Sequence, residues 1–121
     1  MDSNYRFRIF DIIIKKMNAK LFIDKNFIGT LYLEICDEFM GVLSGELSPH
    51  ENYKTFQNNI HNHFEQKGIS NLSDYNYKIF LENGYELKPE GGIGVIHSHE
   101  FIDEIIIETA GNNIEEIKNF C

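Results

Sequence analysis

Four of the five histidines fall in two His-x-His strings, His61-Asn62-His63 and His97-Ser98-His99. Paired imidazoles are the commonest start of a metal site, provided their lone pairs converge. Residues two apart on a strand share a face, so His97 and His99 would meet one ion if that segment is extended. Glu100 is the nearest carboxylate that would complete the ligand set. On a helix, residues two apart diverge by about 200°, so His61 and His63 would point in different directions. The chemistry this allows is a small metal-dependent hydrolase using His97 and His99. The plainer reading is that these are polar surface and loop residues.

Other reactive groups carry weaker signals. Ser44 follows Val42-Leu43, without the glycine two positions earlier that shapes a nucleophile elbow. Cys36 and Cys121 have no histidine-and-acid context in the sequence. Glu90-Gly91-Gly92-Ile93-Gly94 lacks the spacing of a dinucleotide loop, and no lysine-hydroxyl pair follows it. The expectation is therefore a protein with no catalytic residue, no metal and no cofactor.

Charge is more informative. The 121 residues carry 19 Asp and Glu against 11 Lys and Arg, a formal net charge of -8. That excludes the basic footprint of a nucleic-acid binder and the polybasic segment of a membrane anchor. The imbalance is lopsided. Residues 1–68 hold 8 basic and 9 acidic side chains, whereas residues 69–121 hold only Lys78, Lys88 and Lys118 against 10 acids. Asp103, Glu104 and Glu108, followed by Glu115 and Glu116, are read as a docking ridge for a cationic partner, with Asp37 and Glu38 as a second acidic site. Tyr32, beside Glu34 on its strand, is the candidate anchor within that rim. An exposed strand edge would offer a partner's sheet a further handle.

The elements that must position these residues follow from periodicity. Strands are expected over 6–14, 19–23, 28–36 and 39–47, the first four forming an antiparallel meander. Gly41 and Gly45 mark a bulge or a close backbone approach in the fourth. Ser48-Pro49-His50-Glu51 reads as an N-cap, a first-turn proline and a capping-box glutamate. A helix over 49–67 follows, with Tyr53, Phe56, Ile60 and Phe64 as its apolar stripe and Gly68 as its left-handed cap. Asn83-Gly84 predicts a hairpin joining 77–82 to 85–88. Strands over 93–97 and 101–109 come next, the latter with Glu104 and Glu108 on one face, and then a short helix over 113–120 with Ile114, Ile117 and Phe120 inward. The fold expected is a single α+β domain over 1–121, a largely antiparallel sheet with the helix on one face.

Residues Gly41-x-Leu43-x-Gly45-Glu46-Leu47-x-Pro49 with Tyr53, and Leu87-x-Pro89-x-Gly91-Gly92-Ile93-x-Val95 before an acidic, isoleucine-rich segment, resemble small bacterial immunity proteins of contact-dependent growth inhibition and other polymorphic toxin systems. The resemblance covers roughly residues 39–110. It implies an antitoxin that binds one toxin domain, often a basic nuclease, and occludes its active or substrate-binding surface. No individual contact residue carries over from it. The two cysteines are too few for a disulfide framework, and the apolar run 9–14 is too short for a membrane span. A cytoplasmic location is expected. The competing readings are the metal-dependent hydrolase and a homo-oligomeric scaffold domain.

Overall fold

The computed structural model describes residues 16–120. The strand expected over 6–14 lies outside them. The first described strand, β1 (Lys16–Ile23), alternates strictly: Met17, Ala19, Leu21 and Ile23 are buried, while Lys16, Asn18 and Lys20 face solvent. A tight turn leads to β2 (Asn26–Asp37), and a second to β3 (Val42–Pro49). Three further short strands follow the main helix: β4 (Tyr77–Leu81), β5 (Ile93–Ile96) and β6 (Ile106–Thr109). All six join one antiparallel sheet in the order β4-β1-β2-β3-β6-β5, curled into a half-barrel. The class is α+β and mostly antiparallel.

The sheet's inner face explains why the chain folds. Leu21, Leu33, Leu43, Ile79, Val95 and Ile107, contributed by all six strands, have no exposed surface. Because side chains alternate, the same register puts Asn18, Tyr32, Glu46 and Ile106 in one row on the outer face. Lys16, Glu34, Ser44 and Glu108 form the adjacent row. A one-residue slip of any strand would exchange these rows with the core, so the register is strongly specified.

Helix α1 (Lys54–Lys67) is preceded by a 3-10 turn over Glu51–Tyr53. It begins later than the sequence suggests. Ser48 and Pro49 do not cap it; they still pair with Thr30 and Gly29 of β2. The His50 ring takes the capping role, its Nδ1 accepting from the Asn52 amide at 3.2 Å. A long partner strand that keeps offering hydrogen bonds outcompetes a local capping box. Proline is tolerated there because β3 has run past the end of β6 and has only one neighbour. At the other end Gly68 caps α1 as expected, with φ 85° and its amide donating to the Phe64 carbonyl.

Three other expectations change. The fourth expected strand starts at Val42, not Phe39, because Gly41 adopts φ 67° in a turn where a Cβ would strike the Asn112 backbone. The Asn83-Gly84 turn forms, but its second arm makes only an isolated bridge, Phe80 to Glu86. The strand expected over 101–109 is confined to Ile106–Thr109, since Phe101–Asp103 turn. Neither outer strand is a bare edge. Val95 exchanges two backbone hydrogen bonds with Ser70, and Ile79 and Leu81 bond to Leu87 and Tyr85. The expected edge for strand addition is thus partly covered at both sides. Helix α2 (Ile114–Phe120) closes the described chain with Ile114 and Ile117 buried.

The alternation yields a direct stability test. Leu33→Ala should cost about 2–5 kcal/mol by urea denaturation, because it empties a fully buried position. Its neighbour Glu34 makes only an exposed pair with Lys16 at 3.6 Å, so Glu34→Ala should cost less than about 1 kcal/mol. Equal losses would contradict the assigned faces.

Candidate functional site

The histidines meet, but not as a metal site. His97 follows the end of β5 and is 1% exposed. Its Nε2 lies 2.7 Å from the Ile102 carbonyl, so this nitrogen carries the hydrogen and donates. Its Nδ1 then accepts from the Tyr53 hydroxyl at 2.6 Å. Both ring nitrogens are thereby spent, and neither offers a lone pair to an ion. Burial first, then the neighbouring His61 and His99, push the His97 pKa below its ordinary 6.5; the Ile102 carbonyl opposes that shift and is outweighed.

His61, on the buried face of α1, lies 4.2 Å from the His97 ring centre and 4.0 Å from the nearly parallel His99 ring. Its Nδ1 donates to the His97 carbonyl at 2.9 Å, and its Nε2 faces the Gln57 amide at 3.3 Å. His99 is exposed and reaches Glu65 at 3.3 Å. The expected common face of His97 and His99 is therefore replaced by a stack with His61 between them. No group of three or more His, Cys, Asp or Glu side chains is placed to hold a metal among the described residues.

His61 and His63 do diverge, as helical geometry requires. His63 turns to Ser70 Oγ at 2.9 Å, which in turn contacts the Tyr77 hydroxyl at 2.7 Å. Burial works to raise the adjacent Asp74 carboxyl, but Lys67 at 2.7 Å, the Asn71 amide and His63 outweigh it and hold it below the usual range. This second network fastens the loop after α1. Sequence inspection missed the buried role of His61. The spacing was visible in Tyr53, Gln57 and His61, four residues apart, but a polar type concealed a core-facing position.

The acidic candidates do not form one ridge. Glu108 is exposed on the outer face of β6, opposite Ser44 and Gly94. Asp103 and Glu104 precede that strand in a turn closed by the Glu104 amide on the Phe101 carbonyl at 3.0 Å. Asp37 and Glu38 lie at the β2–β3 turn, where Lys118 pairs with Glu38 and Asp37 Oδ1 accepts from the Met40 amide, while Glu115 and Glu116 sit in the first turn of α2, with Glu116 hydrogen-bonded to Tyr85. The expected ridge fails because the segment carrying Asp103 and Glu104 leaves the sheet, its Ile102 carbonyl drawn to His97. Tyr32 stands alone at mid-sheet, 53% exposed, opposite Asn18 and Glu46.

What the sequence did not reveal is the apolar surface inside the acidic regions. Phe101 and Ile102 are 63% and 46% exposed between Glu100 and Asp103. Phe39, 95% exposed, and Met40 crown the β2–β3 turn beside Asp37 and Glu38. In the strand expected over 101–109, alternation would put Phe101 on the face of Ile105 and Ile107; the turn exposes it instead. No described helix is long and apolar enough to cross a membrane. Comparison with protein-family models, curated proteins and solved structures found no match.

The His97 arrangement has a defined pH consequence. A base whose folded pKa is depressed is less protonated folded than unfolded, so its stabilising contribution is present above pH 6.5 and is lost as pH falls below that value. Urea midpoints should fall between pH 7.5 and 5.5 in the parent chain, and fall less in His97→Gln. An identical pH slope in both would refute the role assigned to this ring.

Proposed function

We propose that this chain is a cytoplasmic immunity protein that binds and neutralises a cognate toxin domain, a basic nuclease, by covering its active or substrate-binding surface. It acts by stoichiometric occlusion and performs no chemistry. The observation that carries this reading is the segment 98–105, in which two large apolar side chains, Phe101 and Ile102, stand in solvent among Glu100, Asp103 and Glu104 and are pinned from below by His97. Tight interfaces concentrate their energy in a few desolvated anchors, and a surrounding field of one sign selects the partner and speeds encounter. A surface needed only for solubility has no use for exposed phenylalanine at such a place.

The net charge of -8 supports the sign of the partner. A nuclease cleft is basic because it holds a polyanion, and a carboxylate-rich protein competes for the same field. The hydrolase reading would require His97 to give up one of its two hydrogen bonds before it could ligate an ion. Glu108 and Tyr32 remain candidates for the far rim of the contact, while Asp37 and Glu38 at the β2–β3 turn and Glu115 and Glu116 on α2 lie outside it.

Co-expression with the variable C-terminal domain of a large secreted protein encoded next to this chain's gene should rescue growth of cells that the domain alone kills. The purified pair should bind one to one, with affinity falling as salt rises from 50 to 500 mM, since screening shortens the reach of surface charge to about 8 Å at physiological ionic strength. A lack of rescue, or a stable homo-oligomer that hides Phe101, would overturn the proposal.

A further inference from the structure

A groove of about 350 Å³ lies behind the Phe101 turn. Its floor is apolar: Ile96 of β5 and Ile106 of β6 oppose each other in register, and Phe64 of α1 and Phe101 flank them. Its rim is acidic, formed by Glu65, Glu100 and Glu104, and no lysine or arginine lines it. Glu65 already meets His99, whereas Glu100 and Glu104 have no ion pair among the described residues. The groove therefore combines greasy walls with unspent negative charge at its mouth.

From this geometry we infer that the groove is a socket for an arginine side chain projecting from the protein partner. The inference rests on the reading of a basic partner and adds where that partner is gripped and by which residue type. An arginine fits both halves of the site. Its three-carbon stem covers apolar floor while the charged head stays at the wet rim. Its planar guanidinium stacks on an aromatic face, here that of Phe101, and its fork of donors reaches more than one carboxylate at once. A lysine has the charge but neither the plane nor the fork, and a purely apolar side chain would leave the carboxylates without a partner. The His97 bond to the Ile102 carbonyl fastens the backbone next to Phe101, which lines the groove together with Ile96 and Ile106.

The probe is a blocked Ala-Arg-Ala tripeptide titrated into the full-length 15N-labelled protein at low salt, beside Ala-Lys-Ala and Ala-Leu-Ala. The expected result is saturable binding, with Kd on the order of 1 mM, and amide shifts concentrated at Ile96, Ser98, Phe101, Glu104 and Ile106. The lysine peptide should bind at least threefold more weakly and the leucine peptide not at all. Glu100→Gln/Glu104→Gln and Phe101→Ala should each weaken arginine binding fivefold or more. All three positions are exposed, so the folded spectrum should persist. Shifts spread equally over the Asp37–Glu38 turn, or equal affinity for lysine, would overturn the socket. The two readings fail separately. Rescue of toxin-expressing cells that survives these substitutions removes the socket and keeps the immunity function. Arginine binding in the groove without any rescue keeps the socket and removes the function.

Discussion

The imidazole of His97 is the point at which three parts of the molecule are tied together. It sits where β5 ends, it receives the Tyr53 hydroxyl from the turn that starts the helix, and it donates to Ile102 in the loop ahead of β6. A buried polar group must be paired on every side or it costs more than it contributes. Here that requirement is met, and in meeting it the ring sets the position of the only large apolar turn on that end of the described sheet. His61 completes the arrangement by stacking on the ring and bonding to the His97 backbone carbonyl. Hydrogen bonds that looked like candidate chemistry thus serve as fasteners for a surface.

That surface is compatible with a binding role in a way the bulk charge is not. A net charge of -8 spread evenly serves solubility. The few carboxylates that stand around Phe101, Ile102 and an apolar groove combine a field of one sign with a short-range apolar anchor. The outer sheet face contributes differently: Lys16, Lys20, Glu34 and Glu46 mix the two signs there, so it presents no single field around Tyr32. The turn around Phe39 also sets exposed apolar side chains beside carboxylates, but Lys118 neutralises part of it through Glu38.

Much of the architecture was legible from local rules. The strands expected over 19–23 and 28–36, the stripe from Tyr53 to Phe64, the glycine cap at 68 and the Asn-Gly turn at 83–84 all reflect short-range physics, and the structure contains each of them, with both strands a few residues longer. The class, α+β with a mostly antiparallel sheet, follows from their order. Less legible were the boundaries that depend on a distant partner. Ser48 and Pro49 read as a helix start and became strand because β2 extends far enough to pair with them. Residues 101–104 read as strand and became a turn because the segment leaves β3 after the Leu47 amide has bonded the Ile105 carbonyl, and His97 captures the Ile102 carbonyl.

The amino-acid sequence by itself determined the acidic balance, its concentration after residue 68, and which strand positions are apolar, because these are properties of residue type and spacing. Only the tertiary structure decided that the carboxylates are dispersed over separate elements, that two histidine strings 36 residues apart meet in one stack, and that phenylalanine is held in solvent at the mouth of an apolar groove. The physical reason is the same in each case. Sheet register and buried hydrogen bonds pair residues far apart in the chain, and periodicity along one segment carries no information about which distant partner will claim it.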